Sequence, residues 1–129
     1  MDAAQALADL TEISPQIDAA VLFDESGAVQ GSTLADAAAA QALAEGAAGL
    51  LERAARFRSE GATVTQLEAS TASGSVFVVG DGARRIAATT GPAPTVGLVF
   101  YDLKSCLRGV GPEPAASKRP RRKKADDEA

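Results

Sequence analysis

The run DAAAAQALAEGAAGLLERAARFR, Asp36 to Arg58, decides how the rest of the chain is read. Ala, Leu, Glu, Gln and Arg are the strongest helix formers, and strand-like segments punctuated by turns lie on both sides, so a helix is predicted over the whole run. At about 100° per residue, Leu43, Leu50, Ala54 and Phe57 fall on one face with Ala47 beside them, and this is the expected core face. Gln41, Glu45, Ala48 and Glu52 lie opposite. A third stripe, Ala35, Ala42, Gly46, Gly49 and Arg53, is almost bare. Each internal glycine costs about 1 kcal/mol relative to alanine in a helix. Two on one stripe point either to close approach of another element or to drift tolerated by a strong helix. Thr33 and Asp36 have the spacing of a capping box, with Asp36 also a candidate N-cap, and Gly61 is a C-cap candidate. Glu52 and Arg56 stand four apart in the order that favours an ion pair.

Upstream, residues 2–12 read as a helix with Ala3, Leu7 and Leu10 on one stripe and Asp2 at the positive end of its dipole, stopped by Ser14-Pro15. Ile17 to Phe23 alternates as a strand, Asp24-Glu25-Ser26-Gly27 turns with Gly27 at positive φ, and Ala28 to Ser32 returns. Downstream, Val64–Thr71, Ser75–Val79 and Arg84–Thr90 form a three-stranded meander turned at Ser73-Gly74 and Asp81-Gly82. The stretch Val64–Ser70 is the most polar of the five strands, as suits an edge. After Gly91-Pro92-Ala93-Pro94, Thr95 can cap a closing helix over 96–108, where Val96, Val99, Phe100, Leu103, Cys106 and Leu107 share a stripe. Cys106 is read there as a buried small hydrophobe.

With 129 residues, 46% hydrophobic, only 4% aromatic and no Trp, the chain supports one domain with a small core of Val, Leu, Ile and Ala. There is no His and a single Cys, which excludes an intramolecular disulfide and most zinc, haem and nucleophile-plus-base sites. No cofactor is expected. The segment MDAAQALADL is acidic and helical, unlike a secretory signal, and no apolar run approaches the roughly 18 residues of a membrane span, so a cytoplasmic location is expected. Asp24 and Glu25 sit in a turn where solvated acids are normal, Gly80-Asp81-Gly82 joins two strands, and Lys104 is the only lysine before residue 111. No catalytic set emerges, and the chain is not expected to be an enzyme.

Residues 1–110 carry 7 Lys+Arg against 13 Asp+Glu, a net −6, and residues 111–129 carry 6 against 4, a net +2. The latter, GPEPAASKRPRRKKADDEA, has no periodicity and no large apolar residue, so a domain over 1–110 and a disordered charged tail over 111–129 are expected. Lys118, Arg119, Arg121, Arg122, Lys123 and Lys124 form the one dense basic patch. Such a patch suits nucleic acid, anionic membrane or an acidic protein surface, and a scaffold binding through it is the alternative function. It lacks the aromatics of a single-strand stacking platform.

The order helix, two strands, long helix, three strands, helix, with Ala20-Val21-Leu22-Phe23-Asp24 before Ser26-Gly27 and Gly97-Leu98-Val99-Phe100-Tyr101-Asp102-Leu103 in the last helix, resembles the Roadblock/dynein light chain family in its bacterial, MglB-like branch. The resemblance covers about residues 2–110. It implies an α+β sandwich, α-β-β-α-β-β-β-α, whose five-stranded antiparallel sheet lies between the long helix and the first and last helices. It also implies a homodimer with third strands paired edge to edge and long helices side by side. The partner it implies is a small Ras-like GTPase, which MglB-like members activate while others act as scaffolds. On that basis Ala42, Gly46, Gly49, Arg53, Val64, Gln66 and Glu68 are candidate dimer-interface residues. Glu45, Glu52 and Arg56 are candidate contacts to the GTPase.

Overall fold

The computed structural model describes residues 1–57 and 63–110. The elements are α1 (Ala3–Ile13), β1 (Ile17–Asp24), β2 (Val29–Ser32), α2 (Ala37–Ala55), β3 (Gln66–Thr71), β4 (Gly74–Asp81), β5 (Arg84–Thr90) and α3 (Val96–Gly109). Every strand pair is antiparallel and the sheet order is β2-β1-β5-β4-β3. This is the expected α+β sandwich. Gly61 and the run 111–129 lie outside the described residues. Among the described residues no helix is long and apolar enough to cross a membrane.

Short polar side chains set the helix starts. The Asp2 carboxylate accepts the Gln5 N–H at 2.8 Å and the Asp36 carboxylate accepts the Ala38 N–H at 3.0 Å, each satisfying an otherwise orphaned donor. Asp36 is therefore the cap. Thr33 does other work: its Oγ1 accepts the Ala20 N–H at 2.9 Å and holds the exit of β2 against β1. Thr95 makes no capping bond through its side chain; its N–H donates to Gln16 Oε1 at 2.7 Å, tying the entry of α3 to the α1–β1 connection. α2 stops at Ala55, short of the predicted Arg58, where the Arg56 and Phe57 N–H groups turn back to the carbonyls of Arg53 and Ala54. Glu52 and Arg56, both exposed, do not form the expected ion pair.

Alternation along the strands divides the interior into two layers. Ala20, Leu22, Phe77, Val79, Ile86 and Ala88 face α1 and α3, and are buried with Leu7, Leu10, Val99, Leu103 and Leu107. Phe77 and Phe100 meet edge to face, 5.0 Å apart. Val21, Phe23, Val78 and Ala87 face α2 and are buried with Ala40, Ala44, Ala47 and Leu51.

The rotation of α2 differs from the prediction. Its buried row is Ala40, Ala44, Ala47 and Leu51, while Leu43, Leu50 and Ala54 are half-buried and Phe57 is 88% exposed. The bulky Phe23 ring rises from the sheet into this layer and is fully buried. Close approach of a helix to that surface favours methyl groups over larger side chains, so alanine takes the inner face although leucine is more apolar.

Candidate partner-binding surfaces

β3 ends the sheet, and its outer edge has no partner among the described residues. Gln66, Glu68 and Ser70 alternate with Leu67 and Ala69, so the edge strand offers a polar row on the α1/α3 side and an apolar row on the α2 side. The polar row is partly engaged, since Glu68 Oε2 accepts hydrogen bonds from Ser70 Oγ at 2.6 Å and Ser75 Oγ at 3.2 Å. Val64 precedes the strand instead of opening it. The neighbouring Thr65 carbonyl still accepts the Gly80 N–H at 2.9 Å, which keeps the segment against β4.

α2 lies mainly across β1, β2 and β5. Leu67 and Val76, on the same side of the sheet near the β3 edge, are left half-buried, as are Leu43, Leu50 and Ala54 on the helix. Gly46 stands three residues after Leu43 and four before Leu50, beside this half-covered flank. A Cβ added at Gly46 or at Gly49 would meet nothing within 4 Å, so packing within the chain does not require glycine at either. Ala42 and Arg53 are exposed next to Gly46, and Gly49 turns toward a different feature.

That feature is a cleft of 540 Å³ lined by Glu25, Ser26 and Gly27 of the β1–β2 turn, by Glu45, Ala48, Gly49, Leu51, Glu52 and Ala55 of α2, and by Thr63, Val64 and Arg85. The turn is rigid. Asp24 Oδ1 accepts the Ser26 and Ala28 amides at 2.9 and 3.0 Å and the Ser26 hydroxyl at 2.6 Å, and Gly27 takes the positive φ of 88° that the turn needs. The Ser26 hydroxyl first, then the Ala28 amide, hold the Asp24 carboxyl below its ordinary value of 3.8. Gln41 Nε2 bridges turn and helix, donating to the Gly27 carbonyl at 3.1 Å and to Glu45 Oε2 at 3.2 Å. Among the described residues none of Glu25, Glu45 and Glu52 forms an ion pair, and Arg85 is the one basic residue that lines the cleft.

The cleft thus brings together Glu45 and Glu52, expected to meet a partner, with Gly49 and Val64, expected at a dimer seam. Arg56 is exposed outside the lining. Sequence reasoning reads Glu25 as a solvated turn acid and gives Arg85 no place in a site. It places Glu45 and Glu52 on one helix face with Gln41 and Ala48, but no signal joins that face to the turn. The basic residues Lys118, Arg119, Arg121, Arg122, Lys123 and Lys124 lie outside the described residues.

Across the sheet, α1 and α3 close on each other. The Cys106 thiol is buried between them and donates to the Ala6 carbonyl at 3.5 Å. Burial first, then the charge of Asp9, push its pKa up to about 11, so it is an inert thiol near neutral pH.

No protein-family model and no curated protein matches the chain. Solved structures do. A Roadblock/LC7 domain from Streptomyces avermitilis superposes with a TM-score of 0.76 at 21% identity, over 85% of this chain and 95% of that one. The gliding protein MglB from Thermus thermophilus gives a TM-score of 0.68 at 16% identity, over 84% of each chain. A structure of MglB in a tetrameric arrangement gives 0.66 at 15% identity, again over 84% of each chain. The fold is that of the Roadblock domains, MglB included.

Proposed function

We propose that the chain is a non-enzymatic, homodimeric regulator or adaptor of a small Ras-like GTPase, acting as a GTPase-activating protein in the manner the MglB-like resemblance implies. The observation that carries the dimer is the unpaired β3 edge lying beside a flank of half-buried aliphatic side chains on α2. An open strand edge next to uncovered apolar surface is a liability unless a second chain covers both. A two-fold axis beside β3 brings Val64, Gln66 and Glu68 against the same residues of the copy. Leu43, Gly46 and Leu50 meet at the helix seam, with Ala42 and Arg53 at its margin. Gly49, which lines the cleft, is at the rim of that seam. The shared fold with MglB supports the choice of a GTPase as partner. Glu45, Glu52 and Arg56 form the partner-facing surface, and the site of action is the cytoplasm.

The test is a pulldown on the full chain followed by single-turnover GTP hydrolysis with the captured GTPase. A Ras-like GTPase whose hydrolysis is accelerated is the expected outcome, and Arg53→Ala and Arg56→Ala are expected to leave the acceleration intact, because stabilisation by positioning needs no supplied guanidinium. Capture without acceleration would make the protein a scaffold. Recovery of no GTPase would remove the proposal.

A further inference from the structure

We propose that the basic run Lys118–Lys124 docks into the acidic cleft of its own chain, between α2 and the β1–β2 turn. The first argument is which carboxylates are free. Asp2 and Asp36 cap helices, and Asp24 is held by its turn. Glu68 is held by two serines, Asp81 faces Arg84 at 3.9 Å, and Asp102 is buried. Among the described residues the acids with no cap, ion-pair or hydroxyl partner are Asp9 and Glu12 on α1, Asp18 on β1, and Glu25, Glu45 and Glu52 together in the cleft, Asp9 and Glu45 each accepting only a glutamine side-chain amide.

The second argument is where the chain leaves the domain. The Arg84 guanidinium donates to the carbonyl of Val110, the last described residue before the run. Arg84 lies opposite Asp24 in the β1–β5 ladder, at the end of the sheet that carries the Glu25–Gly27 turn. Arg85, the next residue of the strand, already lines the cleft on the other face, as the alternation of a strand requires. Lys118 stands eight positions beyond Val110, a reach of about 26 Å when extended. The cleft lies at the same end of the sheet as Arg84. Asp18 stands at the far end of β1, next to the Ile17–Thr90 pair, about 20 Å further along the sheet at the rise of a strand.

The third argument is fit. Six of the seven residues of the run are Lys or Arg, the seventh being Pro120, and the cleft combines three carboxylates with an apolar floor of Ala48, Leu51, Ala55 and Val64. Carboxylates at the rim attract the charged heads, and the floor takes the aliphatic stems of long basic side chains. Docking does not depend on the identity of any partner, but it covers Glu45 and Glu52, so an acid-recognising partner would have to displace it.

Carbodiimide coupling of the full chain, read by peptide mass spectrometry, tests this directly, because it joins lysine amines to carboxylates already in contact. The lysines are only Lys104, Lys118, Lys123 and Lys124. The expected result is links from Lys118, Lys123 or Lys124 to Glu25, Glu45 or Glu52. These links vanish in 1 M NaCl, where the screening length is about 3 Å, and in Glu45→Gln/Glu52→Gln, whose side chains are exposed and whose circular dichroism should be unchanged. In a mixture of ¹⁵N-labelled and unlabelled protein the links stay within one isotope. Links spread equally over Asp9, Glu12, Asp18 and the cleft, or joining labelled to unlabelled chains, would overturn the proposal.

Discussion

The two faces of the sheet are finished differently. On the α1/α3 side Leu, Val, Ile and Phe side chains interlock, and Leu10, Phe77, Ile86, Val99, Leu103 and Leu107 are all essentially inaccessible. On the α2 side the helix contributes mostly methyl groups, and Leu43, Leu50, Leu67 and Val76 are left half-covered beside an open strand edge. Where the first layer meets the sheet it is closed within one chain, although Ile13, Leu98 and Tyr101 stand exposed on the outer faces of α1 and α3. The second is a close-packed base with apolar surface to spare, the arrangement expected when the remaining cover comes from another molecule.

The sharpest way to break this contrast is to truncate one leucine on each side. Leu103→Ala should cost about 2–5 kcal/mol in urea denaturation, the loss typical of a buried leucine, whereas Leu50→Ala should cost the single chain about 1 kcal/mol, since part of its surface is already in water. Equal losses would show that the layers do not differ. Next in size is thiol reactivity. With Cys106 held up to about 11, its reaction with a disulfide reagent at pH 8 should be at least about a hundredfold slower than that of a thiol placed at exposed Ala4 of α1 by Ala4→Cys, whose pKa stays near 8.5.

A smaller effect is expected at the seam. Gly46→Leu should improve helix propensity by several tenths of a kcal/mol yet weaken self-association about tenfold, equivalent to about 1.4 kcal/mol, as read by dilution in sedimentation experiments. A more stable and equally dimeric variant would move the seam elsewhere. The smallest effect concerns the cleft wall. Asp24 is held below 3.8 in the folded chain by Ser26 and then Ala28, so the turn keeps its support above that pH. It loses it as pH falls through the lower folded value. Amide exchange at Ser26 and Ala28 should accelerate over that acid range, and Asp24→Asn should flatten the dependence.

Element order, turns and the edge position of β3 were legible in the sequence, because each rests on local chemistry. Gly27 and Gly82 take the positive φ of their turns, Asp36 caps α2, and β1, β4 and β5 alternate between two buried layers. The rotation of α2 was not legible. A helical projection ranks Leu43, Leu50 and Phe57 above a row of alanines, and only the Phe23 ring beneath the helix reverses that order. The same rotation separates the glycines, leaving Gly46 beside the leucine flank and putting Gly49 in the acidic cleft. The cleft itself was out of reach, since Glu25 and Arg85 meet Glu45 and Glu52 only once two turns and a helix are assembled in space.

Sedimentation equilibrium of the full chain at tens of micromolar tests the account most directly. The half-covered α2 flank and the open β3 edge predict a mass of two chains that falls toward one in Gly46→Leu. A single-chain mass across that concentration range would contradict it, leaving the α2 layer complete as it stands and the β3 edge without a partner of its own kind.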